Sequence, residues 1–471
     1  MRSFFAHISL AVLLNLLVKP AWLLVEMEVQ DRVGHEDWGL YSALLSFGFL
    51  FVALADLGLN PYSTRSLAAQ PGEIGSAFPR LLGIKLLLVL AFPALVLVLG
   101  WLLGYDPRAL YFLFLLCLVH GGTQLIELFR ATFRAAQRFR LDAWLSVIDR
   151  LLLLALAMGL FGIGVDVERF IYARLLAAAA GILLCYALLG RLYGWLRPRF
   201  GMAGLGAILR QSLPFAFMTI LYSIHDKVDQ VMLERLAGDY ANGLYAGAYR
   251  WLDAFSMYLW TILPFFFARF ARHHDEPAVQ ERLLHSGQVL SALPLIFVSV
   301  FVFFFGEKLL FLFDRSAPQD LAVMRACLHA LFATALLNGL FAIFSTLLTS
   351  TGHERPVNRM ILASIALNVL LNALFIPRYG AVAAAWTTLA SYACLDLAYV
   401  AYTHRVLPLR VPWRQTALLL LAAAITALTF YLADLAALPW YLTSLLGGTV
   451  LAGTAYLLGL VGPALFRQLR S

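Results

Sequence analysis

The stretch that decides the fold class runs from Leu81 to Leu103 and reads LLGIKLLLVLAFPALVLVLGWLL. It contains a single charged residue, Lys85, and a helix of about 20 apolar residues crosses a hydrocarbon core of about 30 Å. Strands of a membrane barrel are about 10 residues long and alternate apolar with polar side chains, which this stretch does not do. It therefore predicts a membrane-spanning α-helix.

The composition extends this prediction to the whole chain. Of 471 residues, 62% are hydrophobic and 13% are charged, with a mean hydropathy of +0.81, whereas soluble proteins contain about 25% charged residues. Backbone groups in lipid need internal partners, which favours helices. We predict an all-α integral membrane protein with fourteen transmembrane helices, near 4–25, 38–60, 79–104, 109–130, 141–164, 169–192, 209–233, 244–268, 283–313, 321–349, 357–376, 380–403, 415–434 and 440–462.

Arginine alternates between the two sets of helix ends. One set holds 21 arginines, and the other holds six: Arg32, Arg108, Arg169, Arg235, Arg315 and Arg378. Cytoplasmic loops of membrane proteins are enriched in Lys and Arg. The pattern predicts that both termini are cytoplasmic, and it explains most of the net charge of +8. Binding of anionic lipid headgroups is a secondary possibility, and a nucleic-acid partner is not predicted.

An internal repeat is visible in two tripeptides. Gly39-Leu40-Tyr41 begins the second predicted span and Gly243-Leu244-Tyr245 begins the eighth, and each follows a short acidic loop. Six spans separate the two copies, so both copies have the same orientation in the membrane. This spacing predicts a parallel repeat about an axis along the membrane normal, with the last two spans outside it.

The motifs of several enzyme and pump classes are absent from the sequence. A P-loop needs Lys followed by Ser or Thr, and none of the four lysines is followed by either residue. The chain has no HExxH motif or His/Cys cluster, and its predicted extracytoplasmic loops are too short for a glycosyltransferase site. We therefore predict a protein that is not an enzyme, has no cofactor or metal, and uses no nucleotide.

Charges inside the predicted spans are the candidate functional residues. A charge at the centre of a membrane helix costs roughly 2.5–3.5 kcal/mol, and such residues normally face a bundle interior or a watery cavity. Acidic candidates for a cavity wall or for ion coupling are Asp226, Asp229 and Asp253, and the alternative is structural ion pairing between helices. Eight cations lie within or near spans: Lys19, Lys85, Arg150, Arg174, Lys227, Arg250, Lys308 and Arg325.

Several of these candidates also have a structural interpretation. Arg250 lies near Asp229 in predicted depth, so that the two can pair across a short loop. Lys19 precedes Pro20, where a kink frees backbone carbonyls, and it either faces a cavity or extends to the interface. Arg174 and Arg325 lie nearer the span ends and reach the interface more easily.

Three stretches resemble a known family. The first contains Trp38-Gly39-Leu40-Tyr41 and Asp56-Leu57-Gly58-Leu59, the second runs from Leu213-Pro214 to Arg250, and the third includes Asn368, Asn372 and Tyr379-Gly380. Together they resemble the polysaccharide transporters of the multidrug/oligosaccharidyl-lipid/polysaccharide exporter superfamily, which includes the Wzx-type O-antigen flippases. The lipid II flippases are relatives of this group.

The resemblance implies two six-helix lobes around a central cavity, which we place at 1–200 and 201–405, followed by two additional helices at 406–471. It implies transport of undecaprenyl-diphosphate-linked oligosaccharide to the outer leaflet of a bacterial inner membrane, with polysaccharide polymerase or chain-length machinery as candidate partners. Diphosphate-binding cations of the relatives lie on helices that correspond to those of Lys19 and Arg250. We predict a substrate site of Lys19, Arg174, Lys227, Arg250 and Arg325. The alternatives are a cation-coupled drug exporter of the same superfamily and a membrane polymerase or ligase.

Overall fold

The computed structural model describes residues 18, 20–69, 74–200 and 205–462, and these residues form helices without any strand. The predicted all-α class is confirmed. Within the described ranges there are fourteen α-helices: α1 (20–33), α2 (His35–Leu50), α3 (Leu59–Ala69), α4 (Ile74–Leu102), α5 (Pro107–Ala135), α6 (Phe139–Ile163), α7 (Val167–Tyr193), α8 (Leu205–Ala237), α9 (Asp239–Arg272), α10 (Pro277–Phe305), α11 (Pro318–Ser350), α12 (Glu354–Val406), α13 (Trp413–Leu435) and α14 (Trp440–Leu457). Two short 3₁₀ helices lie at Val52–Ala55 and Gly306–Leu310.

Most of these helices are long and apolar enough to cross a membrane. Among the described residues nine meet both conditions, or ten when the bent pair α2–α3 is taken as one span. At 53 residues, α12 is about 80 Å long, which is enough for two crossings. Taking α2–α3 as one span and α12 as two gives fourteen segments over the described ranges. The chain is therefore a multi-pass membrane protein.

The second span differs from the continuous helix predicted over 38–60. Its two helical parts, α2 and α3, are bent by 53° across a break after Leu50. Two residues in the break have left-handed backbone angles, Leu57 with φ of 46° and Gly58 with φ of 76°. The apolar sequence predicts a span at this position, but the bend needs tertiary contacts, which are described with the site below.

The predicted division between the eleventh and twelfth spans lies at the correct place. The structure runs as helix through α12 except at Gly380, where φ is 56° and ψ is −136°. Glycine reaches this conformation without the steric penalty of a side chain. Pro377, three residues earlier, removes a backbone donor from the same region.

The chain forms two compact units, an N-terminal unit of Met1–Gly243 and a C-terminal unit of Leu244–Ser471. In the N-terminal unit α5 lies centrally and packs against α2, α3, α4, α6 and α7. In the C-terminal unit α13 and α14 pack together on α10, where Phe430 contacts the rings of Phe297 and Phe304. The predicted lobe boundaries, 1–200, 201–405 and 406–471, stay predictions.

Candidate functional site

Arg174 lies inside the N-terminal unit, on α7. Its Nη1 donates a hydrogen bond to the Tyr41 hydroxyl of α2 and lies 3.6 Å from a carboxylate oxygen of Glu26 on α1. The Arg174 side chain is 19% exposed, and its Nε is buried with no hydrogen-bond partner among the described residues. A guanidinium has five N–H donors. Arg174 is therefore held in place by two side chains, while its Nε–H has no partner in the described part of the chain.

An aromatic wall surrounds this arginine. Trp38 and Tyr41, one turn apart on α2, have ring centroids 4.7 Å apart, and Phe170 of α7 lies 5.7 Å from each of them. Trp22 of α1 stacks on Phe170 at 6.0 Å and also lies 6.0 Å from the Arg174 guanidinium carbon. Rings packed at these distances restrict the rotamers of their neighbours. The wall therefore fixes the direction in which Arg174 points.

The charged residues predicted on the seventh span, Asp226, Lys227 and Asp229, lie on α8. Asp229 is buried, and its Oδ1 accepts a hydrogen bond from the backbone N–H of Gln230 at 2.8 Å. The Gln230 side chain in turn accepts a hydrogen bond from Ser46 of α2, with an oxygen–oxygen distance of 2.7 Å. Lys227 lies 3.2 Å from Asp226, whose side chain is one-third exposed. The group thus joins α8 to α2, and its role in transport stays a prediction.

Lys85 of α4 is buried among acceptors that belong to the protein itself. Its Nζ pairs with the Asp56 carboxylate and lies 3.3 Å from Asn60 Oδ1 and 3.4 Å from Gln124 Oε1. The ammonium group has three donors, and all three have acceptors here. These contacts connect the break between α2 and α3 to α4 and α5. Lys85 therefore anchors the bend of the second span and has no donor left for a ligand.

The other predicted site residues are spread over the chain. Lys19 lies outside the described residues. On α9, Arg250 and Asp253 are one turn apart, as their spacing predicts. Arg325 is half-exposed and lies 3.9 Å from Glu307 of the 3₁₀ helix that follows α10. The predicted pairing of Asp229 with Arg250 stays a prediction.

A buried polar ladder within α12 was not predicted as part of a site. Asn372 donates to Asn368 Oδ1 at 2.9 Å and accepts a hydrogen bond from Thr387, while Asn368 donates to Ser391 at 3.3 Å. The ladder joins the two halves of α12 on either side of Gly380. The signal in the sequence is the pair Asn368 and Asn372, which lie four residues apart in an otherwise apolar helix.

At one end of α8 a buried acid fixes the loop that connects α4 and α5. Tyr105 of that loop donates to Glu234 at 2.8 Å, and the Arg235 guanidinium lies 4.0 Å from the Tyr105 ring centroid. Burial, with Glu234 beside it, raises the pKa of the Tyr105 phenol. The hydroxyl donates to Glu234 and the Arg235 guanidinium lies over the same ring, so Arg235 has a structural role.

The first glycines of the two repeat tripeptides, Gly39 and Gly243, lie near the starts of their helices. Gly39 and Gly243 are each the fifth residue of their helix, α2 and α9. A Cβ on Gly39 would overlap the carbonyl oxygen of Asp239, the first residue of α9, and one on Gly243 would overlap that of His35, the first residue of α2. Only glycine permits so close an approach of the two helix starts. The parallel repeat itself stays a prediction.

Replacing Gly39 with alanine is expected to lower the midpoint of thermal unfolding in detergent, with a loss of about 1–3 kcal/mol in the free energy of unfolding. The added methyl would meet backbone atoms, which cannot rotate away as a side chain can. Gly75→Ala on α4, where nothing lies within 4 Å of an added Cβ, is the matched control. Equal midpoints for the two variants would show that the contact does not exist.

Comparison with known proteins identifies relatives of the chain. The model of a family described as "Polysaccharide biosynthesis protein" matches residues 5–274, more than half of the chain. An uncharacterized membrane protein of Methanocaldococcus jannaschii is 24% identical over 387 residues, which cover 76% of this chain and 87% of that protein.

Two solved structures show the same fold. The lipid II flippase MurJ in an inward closed conformation aligns with a TM-score of 0.75 at 12% identity, over 95% of this chain and 98% of its own. An inward-facing multidrug resistance MATE family transporter of the MOP superfamily aligns with a TM-score of 0.66 at 14% identity, over 85% and 97%. These identities establish the fold alone. The chain belongs to the polysaccharide biosynthesis protein family, with the fold of the MOP superfamily transporters.

Proposed function

We propose that the protein is a flippase for undecaprenyl-diphosphate-linked oligosaccharide. It moves this lipid from the cytoplasmic to the outer leaflet of a bacterial inner membrane by alternating access, for the synthesis of O-antigen, capsule or exopolysaccharide. Both termini are cytoplasmic in this proposal, as the arginine pattern predicts. The polysaccharide biosynthesis family match and the fold shared with a lipid II flippase support it.

Arg174 is the single observation that carries the proposal. Its guanidinium lies beside aromatic rings at 19% exposure and has an N–H without a partner among the described residues. Such an arrangement suits an anion, since Arg binds phosphate oxygens through two parallel hydrogen bonds. Glu26 offsets part of the charge at 3.6 Å, and Tyr41 fixes one Nη. A diphosphate can then use the remaining donors, while its polyprenyl tail stays in lipid.

The energy source has three candidates in this proposal. Either H⁺ or Na⁺ binds at Asp226, Asp229 or Asp253 during the cycle, or the membrane potential acts on the charged substrate directly. Asp229 is the best placed of the three acids, because it is buried and its neighbour Gln230 is bonded to α2. Polysaccharide polymerase or chain-length proteins are proposed partners that would receive the delivered lipid.

A cation-coupled drug exporter is the second candidate, which the MATE fold and the acids of α8 favour. It would bind cationic drugs through acidic side chains, and the positive charge of Arg174 opposes that. Drug-resistance profiling of a deletion strain separates the two candidates. A polymerase or ligase, the third candidate, would instead alter glycan chain length and leave single units at the surface.

Deletion of the gene, followed by tracking of labelled lipid-linked glycan, tests the proposed function. We expect the labelled lipid to accumulate in the cytoplasmic leaflet and delivery to the outer leaflet to return on complementation. Undiminished delivery in a strain that has no substitute transporter would overturn the proposal.

Lys19→Ala and Arg250→Ala are expected to impair transport more than Arg405→Ala at matched expression. Arg405 is an exposed residue of the last turn of α12, so its loss removes the same charge outside the proposed cavity. The measurement is the rate of glycan delivery in the complemented deletion strain. Equal rates for all three variants would remove Lys19 and Arg250 from the substrate site.

A further inference from the structure

The segment of residues 194–200, which we term the strap, follows α7 and runs without regular structure along α4. The Arg199 N–H donates to the Pro79 carbonyl at 2.8 Å. A Cβ on Gly83 would overlap the Arg199 carbonyl oxygen, so α4 and the strap touch through their backbones. The Tyr186 hydroxyl of α7 donates to the Leu196 carbonyl at 3.1 Å. The strap is therefore fixed at two points by its backbone.

The side chains of the strap face outward while its backbone is held. Trp195 is 69% exposed and Phe200 is 62% exposed, and Arg197 and Arg199 are exposed with them. The ring centroids of Trp195 and Tyr186 are 5.5 Å apart. Large apolar rings alternating with arginines are typical of the membrane interface, where rings enter the headgroup layer and charges meet its phosphates.

A third arginine from another helix joins the strap. Arg80 of α4 is exposed and follows Pro79, the residue whose carbonyl accepts the Arg199 N–H. That hydrogen bond brings the backbones of Arg80 and Arg199 next to each other although the two residues are far apart in sequence. Arg80, Arg197 and Arg199 thus form one cationic patch, framed by Trp195 and Phe200.

The cationic patch is not neutralised by the described part of the chain. No acidic side chain of the described ranges lies within ion-pair distance of Arg80, Arg197 or Arg199. The two acids near the connection of α5 and α6 are paired with other arginines. There, Glu127 and Asp142 pair with Arg130 at 2.8 and 2.9 Å, and both also contact Arg134. The patch therefore has a charge that an external anion can match.

We propose that the strap and Arg80 form a docking site for the headgroup phosphate of an anionic bilayer phospholipid. Arg199 and Arg80 bind the phosphate oxygens, Arg197 adds charge, and Trp195 and Phe200 enter the headgroup layer beside the lipid. The rings on both sides favour a lipid over a soluble acidic partner, because they would otherwise remain in water. The proposal is independent of the transported substrate and does not rest on the flippase assignment.

The experiment titrates phosphatidylglycerol into the full-length protein in a neutral detergent and measures the unfolding midpoint, with phosphatidylcholine as the comparison lipid. We expect phosphatidylglycerol alone to stabilise the wild type. A basic residue near an anionic surface contributes about fivefold in affinity, so Arg197→Gln/Arg199→Gln is expected to weaken the lipid effect by about 25-fold. The control is Arg138→Gln/Arg140→Gln, which removes two exposed arginines near the start of α6 and is expected to weaken the lipid effect less than the strap pair does.

Three further variants separate the effect of the strap's position from that of its charge. Gly83→Leu displaces the strap and keeps every arginine, and it is expected to weaken the phosphatidylglycerol effect. Gly75→Leu adds the same side chain to open space on the same helix, and it should leave the phosphatidylglycerol effect unchanged. Because Gly83→Leu also perturbs packing, Gly83→Ala is measured as a milder version and should show an intermediate loss.

Three outcomes would overturn the proposal. Equal weakening by the control pair Arg138→Gln/Arg140→Gln would show a diffuse charge effect. Equal stabilisation by phosphatidylcholine would show that the headgroup charge is irrelevant. Stabilisation by inorganic pyrophosphate as strong as that by phosphatidylglycerol would assign the arginines to a soluble phosphate and not to the bilayer.

Discussion

Asp56→Ala is expected to lower the free energy of unfolding by about 3–5 kcal/mol, the largest loss expected of a single substitution in the N-terminal unit. The change leaves the Lys85 ammonium, which is fully buried, without the carboxylate that pairs with it. Asn60 and Gln124 remain at 3.3 and 3.4 Å, but two neutral acceptors do not replace a carboxylate. The measurement is the unfolding midpoint of the purified protein in detergent.

The double variant Asp56→Ala/Lys85→Met provides the decisive comparison. It removes both charges and retains an apolar stem, so it should recover most of the lost stability. Glu28→Ala is the control, because it breaks the Arg32 ion pair, where both side chains are about 30% exposed. That pair is expected to contribute less than about 1 kcal/mol. If Asp56→Ala and Glu28→Ala lose equal stability, the buried pair does not anchor the bend.

Arg174→Gln is expected to reduce the rate of lipid-linked glycan transport by about 100-fold, because a neutral amide cannot offer charge-assisted hydrogen bonds to a diphosphate. Arg174→Lys should fall between the wild type and Arg174→Gln. Lysine keeps the charge but replaces the planar fork of donors with a single point. The measurement is delivery of labelled lipid-linked glycan by protein reconstituted in vesicles.

A structural role for Arg174 would give a different result from a substrate-binding role. Tyr41→Phe removes the hydroxyl that accepts from Arg174 and leaves the guanidinium in place. It should lower the transport rate less than Arg174→Gln does, at a comparable unfolding midpoint. Transport at the wild-type rate by Arg174→Gln, or a loss of activity that only follows a loss of folded protein, would contradict the assigned role.

The spans could be predicted because their signals are local. Apolar runs of about 20 residues and the alternation of arginine at their ends both lie within short windows of sequence, and Gly380 after Pro377 marks the division of α12. The bend after Leu50 could not be predicted in this way. It depends on Lys85, which is 29 residues away from Asp56, and on left-handed backbone at Leu57, where glycine would be the expected residue.

The site was predictable only in part, because its contacts join residues that are far apart in the sequence. Arg174 was a candidate because a charge within an apolar helix needs a cause. Its partner Tyr41 lies 133 residues away, and no pattern in the sequence joins the two. The Asn368–Asn372 ladder was overlooked because neutral amides have no charge to draw attention in an apolar helix. Its importance depends on Thr387, which the fold brings against Asn372.

The Asp56–Lys85 pair also has a consequence for how the chain is made. Asp56 leaves the ribosome first, and α4, the most apolar of the candidate spans, follows with Lys85. The remaining length of α4 outweighs the roughly 2.5–3.5 kcal/mol that one lysine costs on insertion. Its charge is then neutralised by a helix already present, before Gln124 arrives on α5. The order of synthesis thus matches the order in which the buried ammonium acquires its acceptors. Lys85 is therefore unpaired in lipid only briefly while the chain is being made.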